Sequence, residues 1–542
     1  MIKTKLVSAL EKPFADQKLS DFAEYPSASA LLGEKFSFQM LYTYELDEDN
    51  RAFLPHYFTL SGSLAPYATV RHLKSIAVTK PLGIKSDDNY LRTAPGVYPD
   101  ILFPQNNDKG EFCASTNVLN SIFIDIDVPT DKSFAGKQEL KIEVFRKSNK
   151  EKKSEESFTL DVIGVELPEE KTLHTQWLYA ELFAPYYGIE SWGERHWEII
   201  RNAMAAARRS GVNMLWTPAF TLTRSEKCAD GWKYDYTRLD RWVSLGKELG
   251  FTHFEIQHLF SSGDAAWSSG FTYFENGEKK TTKGLRATDP VCVDFVRSFL
   301  TSLIEHFKTI ADPKKLVFHI ADEPALKNID KFRAARETVI DIIGEHEIID
   351  AIFDLEYYTE GLVSAPVPIT DHIQPFIENS VPNLWTYYCT GPQGGGYSNR
   401  FVAQSGACTR SIGMQLYKYN IVGFLHWGYN FYNNCSSVNP INPFLDASGE
   451  KWVSAGDAHS VYPAPDGTPY ESIRLKVFAD AITDMRAMQK CEEYYSHAEV
   501  VSAIEDILGY ELRFDTCLLD SKTLLAVREK INAMIKSAIN KA

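Results

Sequence analysis

The sequence predicts a multidomain protein with β and α/β parts: an N-terminal β-sandwich, a (β/α)8 TIM-like barrel and a C-terminal helical tail. The 542 residues exceed what one hydrophobic core usually holds. Strand-like alternation dominates before residue 170, whereas strands and helices alternate after it, and all ten tryptophans lie at or after Trp177. We expect the sandwich over residues 1–168, the barrel over 169–490 and a helical extension packed on the barrel over 491–542.

The sandwich prediction depends on segments in which apolar and polar residues alternate. These segments are Ser121–Val128, Glu139–Phe145 and Phe158–Val165. A period of two buries one face of a strand and leaves the other in water. The charged run Lys147–Glu156 is typical of a solvated hairpin loop. Residues 167–170, which include Pro168, are the predicted linker.

The barrel prediction depends on repeated strand–helix units of about 30–45 residues, which favour a parallel sheet. An eighth strand is not evident. The predicted strands are Leu173–Tyr179, Gly211–Trp216, Phe251–Phe260, Lys315–Ile320, Ala351–Tyr357, Asn383–Tyr388 and Ile421–Trp427. The predicted helices are Glu194–Ser210, Leu239–Leu249, Asp294–Thr309 and Ile329–Ile343, followed by Glu471–Met488 and Asp520–Ala542 in the tail.

Charge and composition exclude several classes of partner. The formal net charge of −15 argues against nucleic acid, and it disfavours strongly anionic polysaccharides unless a local Arg or Lys pocket exists. The N-terminus has no apolar signal region, and no stretch approaches the roughly 18 apolar residues of a membrane helix. The eight cysteines form no CxxC motif or zinc-like cluster. We expect a cytoplasmic protein with reduced thiols and no membrane partner; its oligomeric state is not evident.

The clearest chemical feature is a pair of adjacent acids, Asp322 and Glu323, which follows a predicted strand and precedes Pro324. Barrel active sites lie at the C-terminal ends of strands. Neighbouring acids repel, so one can keep its proton near neutral pH and act as a general acid. Both reach one ligand only if the strand ends or bulges at Asp322, because side chains alternate along a strand. Alternatively, one acid caps the following helix.

The adjacency of these acids favours a particular mechanism of glycoside hydrolysis. In most glycosidases the two acids flank the bond, about 5 Å or 6.5–9.5 Å apart. Neighbours on one strand usually lie on the same side of the sugar instead. This arrangement suits substrate assistance, in which one carboxylate orients a 2-acetamido group whose oxygen attacks the anomeric carbon. The other acid protonates the leaving oxygen.

Aromatic side chains recur at the predicted strand ends. Sugars stack their C–H faces on rings, and their hydroxyls bond to phenols and amides. A single aromatic residue is more often part of the core, so the recurrence carries the prediction. The predicted substrate-binding residues are Trp177, Tyr179, Trp216, His258, Tyr357, Trp385, Tyr387, Tyr388, Trp427, Tyr429 and Asn430.

Histidines on the strand Phe251–Phe260 raise the question of a metal. His253 and Glu255 share a face and His258 follows, but no further ligand of matching geometry can be named. We therefore predict no metal. His258 is either a hydroxyl-binding or a structural histidine.

Several ordered segments resemble glycoside hydrolase family 123 and its uncharacterised bacterial relatives. The resemblance covers about residues 170–490. The stretch after His258 departs from the family's Gln-Trp-Gly-Ala pattern. The matching segments are 317–324 (VFHIADEP), 383–389 (NLWTYYC), 398–401 (SNRF), 413–433 (GMQLYKYNIVGFLHWGYNFYN), 456–463 (GDAHSVYP) and 471–488 (ESIRLKVFADAITDMRAM).

The resemblance implies a retaining, exo-acting β-N-acetylgalactosaminidase that uses substrate assistance on an oligosaccharide or glycoconjugate. It implies that Asp322 orients the acetamido group and that Glu323 is the general acid and then the base, without a metal or cofactor. Two alternatives remain open. One is a glycosidase for sugars without an acetamido group, with Glu255 or Glu356 as nucleophile. The other is a non-catalytic glycan-binding protein.

Overall fold

The computed structural model describes residues 1–46, 52–105, 110–434, 439–517 and 520–541. Cys435 and Ala542 lie outside the described residues. By compactness the chain divides into two units. The first comprises Met1–Glu170, Gln393–Tyr419 and Asn430–Ala542, and the second comprises Lys171–Pro392 and Asn420–Tyr429. Residues 393–419 and 430–490, which the sequence analysis counted with the barrel, are thus grouped with the first unit.

The first unit contains two five-stranded sheets, with strand orders β1-β3-β8-β5-β6 and β2-β10-β9-β4-β7. Pairing is antiparallel except between β2 and β10. Side chains of both sheets share one buried cluster, in which Phe38 stacks on Phe158 with ring centres 4.1 Å apart. The strands are β1 Ile2–Ser8, β2 Ser27–Leu32, β3 Lys35–Tyr44, β4 Phe53–Ser61, β5 Ala68–Val78, β6 Gly96–Pro104, β7 Glu111–Ser115, β8 Asn120–Asp127, β9 Gly136–Arg146 and β10 Lys152–Glu166.

The predicted loop Lys147–Glu156 is wrong over its second half. Strand β10 begins at Lys152, and Glu156 is paired with Ile142 of β9. The charges fit a strand because Lys152 forms ion pairs with Glu143 and Glu155 on the solvent side. The sequence analysis therefore took the solvent-exposed face of a strand for a loop, because it relied on charge alone.

The second unit alternates strands and helices. Its strands are β11 Leu173–Gln176, β12 Met214–Thr217, β13 Arg224–Cys228, β14 Gly231–Asp235, β15 His253–Ile256, β16 Thr272–Glu275, β17 Glu278–Thr281, β18 Leu316–Phe318, β19 Glu347–Ile352, β20 Ala365–Pro368, β21 Trp385–Tyr387 and β22 Gly423–His426. Its helices are α1 Phe183–Tyr187, α2 Glu194–Arg209, α3 Ala219–Leu222, α4 Thr237–Glu248, α5 Pro290–Ile310, α6 Ile329–Glu337, α7 Ile340–Ile343, α8 Glu356–Thr359 and α9 Gln374–Glu378.

Eight parallel strands form a nearly closed barrel in the order β20-β19-β18-β15-β12-β11-β22-β21. The two end strands approach each other at a parallel bridge between Ile369 and Tyr387. Pro366 and Pro368 have no N–H to donate, which limits the ladder that β20 can form. The barrel interior is filled by apolar side chains that include Trp216, Val317 and Leu425.

Three local predictions differ from the structure of the second unit. The predicted strand Ala351–Tyr357 is wrong, because β19 ends at Ile352 and α8 follows. The single helix Ile329–Ile343 is two helices, α6 and α7. The sequence analysis also missed the four-stranded sheet β14-β13-β16-β17 inserted after barrel strands β12 and β15.

The remaining elements of the first unit are α10 Gly406–Lys418, β23 Val461–Tyr462, β24 Tyr470–Glu471, α11 Ile473–Cys491, α12 His497–Leu508 and α13 Ser521–Ile539. Helix α13 was expected to pack on the barrel. It contacts the N-terminal strands, because Arg528 forms ion pairs with Glu34 at 2.6 Å and with Asp484 at 2.9 Å. Among the described residues, no helix combines the length and hydrophobicity that crossing a bilayer requires.

Candidate active site

The acids Asp322 and Glu323 follow barrel strand β18 at its C-terminal end. The strand ends at Phe318, and Glu323 has a positive φ of 45°. Few residues other than glycine adopt this conformation, and such residues cluster at functional sites. The turn is held by hydrogen bonds from the N–H of Gly263 to the carbonyl of Asp322 (2.7 Å) and from the N–H of Glu323 to the carbonyl of Ala351 (3.1 Å). The strand therefore ends before the pair, which is the condition for both acids to face one ligand.

Burial and mutual repulsion hold a proton on this pair. Burial, and then the charge of Glu323, raise the pKa of Asp322 to about 7. Burial also raises the pKa of Glu323, while a hydrogen bond from the Tyr387 hydroxyl opposes that rise. Since each carboxylate disfavours ionisation of the other, the pair titrates as a unit. It can supply one acid and one carboxylate near neutral pH.

A buried cluster of charges lies next to the pair, within the barrel. His319 Nε2 lies 2.8 Å from a Glu255 oxygen, and His319 Nδ1 lies 3.7 Å from an Asp350 oxygen. All three side chains are fully buried. Burial lowers the pKa of His319, but its two carboxylate partners outweigh burial and raise the pKa to about 9. The imidazole is therefore cationic at neutral pH.

Each carboxylate of this cluster has further donors. Glu255 accepts hydrogen bonds from the Thr175 hydroxyl and from the Trp177 indole N–H at 2.8 Å. Asp350 accepts the backbone N–H groups of Ile320 (2.9 Å) and Ala321 (3.2 Å), directly before the acid pair. The cluster thus fixes the backbone that leads into Asp322.

His258 connects the cluster to the acid pair. Its Nε2 lies 3.8 Å from Asp322, and its ring centre lies 4.4 Å from that of His319. Burial and the neighbouring His319 cation lower the pKa of His258 well below its ordinary value, so it is neutral. The stacked rings of Trp177 and Trp216 lie 5.1 Å and 5.7 Å from it. A neutral imidazole beside aromatic rings can accept a hydrogen bond from a hydroxyl or donate one to it.

Comparison with known protein families now identifies the chain. The family described as "Glycoside hydrolase 123, catalytic domain" matches residues 177–491, more than half of the chain. The chain belongs to glycoside hydrolase family 123. It is therefore a glycoside hydrolase, as the sequence analysis predicted.

A solved structure shares the fold of this family 123 enzyme. A family 123 glycoside hydrolase from Clostridium perfringens, studied for glycolipid glycan hydrolysis, has a TM-score of 0.75. The two are 16% identical, and the match covers 100% of this chain and 98% of that one. An endo-β-1,4-mannanase from Thermotoga petrophila, at 12% identity, gives a TM-score of only 0.33 over 58% of this chain and 77% of that one, which carries no argument. Among curated proteins, no sequence matches the chain.

Only part of the predicted binding set lies at the acid pair of this hydrolase. Tyr387 donates to Glu323, His258 adjoins Asp322, and Trp177 and Trp216 adjoin His258. Trp177 and Trp216 are mostly buried at 7% exposure each, so they shape the site more than they line it. Tyr179 and Trp427 are half-buried.

Five other predicted binding residues are buried. The Tyr357 hydroxyl donates to the carbonyl of Ala325, and the Tyr429 hydroxyl donates to that of Ala203. Both hydroxyls are thus bonded to backbone carbonyls. The five are Tyr357, Trp385, Tyr388, Tyr429 and Asn430.

Sequence reasoning missed His319, Asp350 and Ser262. His319 and Asp350 stand within apolar runs, where only their charge marks them as exceptional. The Ser262 hydroxyl lies 3.4 Å from Asp322 and comes from the loop after His258. Within the described residues, no cluster of three metal-ligating side chains is found.

Proposed function

We propose that this enzyme is a retaining, exo-acting β-N-acetylgalactosaminidase that uses substrate-assisted catalysis. The observation that carries the proposal is the positive-φ turn that lets two consecutive, mutually coupled acids face one ligand. The relative in Clostridium perfringens hydrolyses glycolipid glycans, which supports a glycoconjugate substrate. We also propose that the barrel is a (β/α)8 barrel and the two N-terminal sheets a β-sandwich.

In the first step the acetamido carbonyl oxygen of the substrate attacks the anomeric carbon, and the bond to the leaving oxygen breaks. Asp322 accepts the acetamido N–H and stabilises the oxazolinium cation as a carboxylate. Glu323 transfers its proton to the leaving oxygen. In the second step Glu323 removes a proton from water, which opens the oxazolinium ring and restores the β-configuration.

Substrate binding also places the proton on the correct acid. In the empty site the Tyr387 hydroxyl favours the ionised form of Glu323, which leaves the shared proton on Asp322. An acetamido N–H bonded to Asp322 favours the ionised form of Asp322 and moves the proton to Glu323. A sugar without this group lacks that effect.

The hydrogen bonds of Glu255 argue against a separate nucleophile. Glu255 accepts from Thr175, Trp177 and His319 and is fully buried. Covalent attack on a sugar would break this set. Glu356 is exposed at the start of α8, 33 residues after Glu323 in the sequence.

Leaving-group dependence tests the role of Glu323. In Glu323→Gln, hydrolysis of 4-nitrophenyl β-N-acetylgalactosaminide should fall at least about 100-fold, since general acids contribute about 10²–10⁴. The 2,4-dinitrophenolate leaving group needs little protonation, so the rate of hydrolysis of the 2,4-dinitrophenyl glycoside should fall much less. Glu356→Gln is the matched control and should keep full activity. Equal losses on both aryl glycosides, or a product released first as the α-anomer, would refute the mechanism.

A further inference from the structure

A cavity lies at the same end of the barrel as the acid pair. It holds about 650 Å³, a size typical of ligand pockets. Its wall includes Gln257, the residue before His258. The loop after His258 also joins the two places: Ser262 contacts Asp322, whereas Ser269 and Gly270 line the cavity. We call this cavity the loop pocket.

The loop pocket is cationic in a chain of net charge −15. Arg224, Arg238 and Lys279 line it together with a single acid, Asp235. Among the residues that the structure describes, none of the three cations forms an ion pair. The Asp235 carboxylate accepts the Thr237 hydroxyl (2.6 Å) and N–H (3.0 Å), and it also interacts electrostatically with Arg238 and Arg224. Three cations against one acid leave the lining with a net positive charge.

Aromatic rings hold the two guanidinium groups. The Arg224 guanidinium lies 3.8 Å from the ring centre of Phe274, and that of Arg238 lies 5.5 Å from Trp192. Both rings also line the pocket. A guanidinium stacked on a ring keeps its N–H fork available and loses little freedom when it binds. These groups are thus arranged in advance for a planar or tetrahedral anion.

Polar side chains also line the loop pocket. Thr221 is exposed and Gln257 is half-buried. A threonine hydroxyl and a glutamine amide can each donate to or accept from a sugar hydroxyl.

We propose that the loop pocket binds an acidic sugar of the substrate glycan, one that carries a carboxylate or a sulfate ester. The inference rests on the proposed function for the position of the glycan, because the terminal sugar occupies the neighbouring acid-pair site. The guanidinium groups bind the anion, and the polar side chains of Thr221 and Gln257 bind sugar hydroxyls. The substrates are then acidic glycoconjugates, although the chain as a whole is acidic.

Binding to the full chain tests this without any turnover. Calorimetric titration compares 3′-sialyllactose, 3′-sulfolactose and neutral lactose. The acidic probes should bind at least about tenfold more tightly than lactose, and salt raised from about 50 to about 500 mM should remove most of that difference. The stronger of the two acidic probes tells whether the anion is a carboxylate or a sulfate.

Charge-removing variants locate the binding. Arg238→Gln and Arg224→Gln should each lower the affinity for the acidic probes about tenfold and leave the affinity for lactose unchanged. Arg241→Gln is the control, because Arg241 lies on the same helix but is already paired with Glu194 at 2.7 Å. Thermal melting checks that each variant folds.

Equal binding of acidic and neutral probes, no binding of either acidic probe, or unchanged binding in both arginine variants would overturn the proposal. If the enzyme does not hydrolyse aryl N-acetylgalactosaminides but still binds the acidic probes, the proposed function is refuted and the proposed role of the loop pocket is kept.

Discussion

The hydrogen bond from Tyr387 to Glu323 gives a sharp prediction about pH dependence. The hydroxyl donates to the carboxylate and so favours its ionised form. Tyr387→Phe removes that donor and leaves the ring. The pKa of Glu323 should therefore rise, and the acid pair should keep its last proton to higher pH. The alkaline limb of activity reports loss of that proton, so it should move upward.

The size of the shift follows from the strength of the bond. A hydrogen bond to a charged group contributes about 1.5–3 kcal/mol, and one pKa unit corresponds to about 1.4 kcal/mol. These values give about 1–2 units. The Glu323 side chain is half-buried, so water replaces part of the lost bond. We expect an upward shift of about 1 unit from a limb near pH 7, the pKa of Asp322 in the pair.

The assay is kcat/KM for 4-nitrophenyl β-N-acetylgalactosaminide between about pH 4 and 10. Tyr236→Phe is the matched control, since its hydroxyl bonds to Ser302 at 3.0 Å in the same unit. Tyr236→Phe should leave the alkaline limb at the wild-type pH. If the alkaline limb of Tyr387→Phe stays at the wild-type pH or moves to lower pH, the argument that Tyr387 favours the ionised form of Glu323 is refuted.

Further predictions concern stability. Glu255→Gln should lower the free energy of unfolding by about 3 kcal/mol in urea titrations, because it leaves the buried His319 cation short of one partner. The raised pKa of His319 stabilises the fold fully below pH 6.5, and this contribution is lost as pH rises through about 9. The free energy of unfolding of Glu255→Gln should therefore decline less than that of the wild type over this pH range. An equal decline in both proteins would contradict this role of His319. Arg474→Met should cost about 3–5 kcal/mol, because it removes the guanidinium that is paired with the fully buried Asp100. The exposed pair of Arg201 and Glu248 is the control, and Arg201→Met should cost less than about 1 kcal/mol; similar costs for both would refute the burial argument.

Six of the eight barrel strands were predictable, because each is a short apolar run. The eighth, Ala365–Pro368, was missed because Pro366 and Pro368 are unusual in a strand. The run Ala351–Tyr357 misled for the opposite reason. It contains no Gly or Pro, so nothing in it shows that the strand ends at Ile352 and a helix begins at Glu356.

The acid pair was predictable from its place at the end of an apolar strand, but its surroundings were not. Residues far apart in the chain, such as Glu255, His319 and Asp350, come together only through strand order. Aromatic residues at strand ends gave a mixed result for a similar reason. A ring at a strand end faces the site, as Tyr387 does, or the core, as Tyr357 does, and composition does not distinguish the two.

The most direct test of substrate assistance compares 4-nitrophenyl β-N-acetylgalactosaminide with the β-galactoside, in the wild-type enzyme and in Asp322→Asn. The account predicts that the wild type cleaves the acetamido sugar and not the galactoside, and that Asp322→Asn loses at least about 100-fold on the former, the effect of one removed stabiliser of transition-state charge. Efficient cleavage of the galactoside, or full activity of Asp322→Asn, would contradict it.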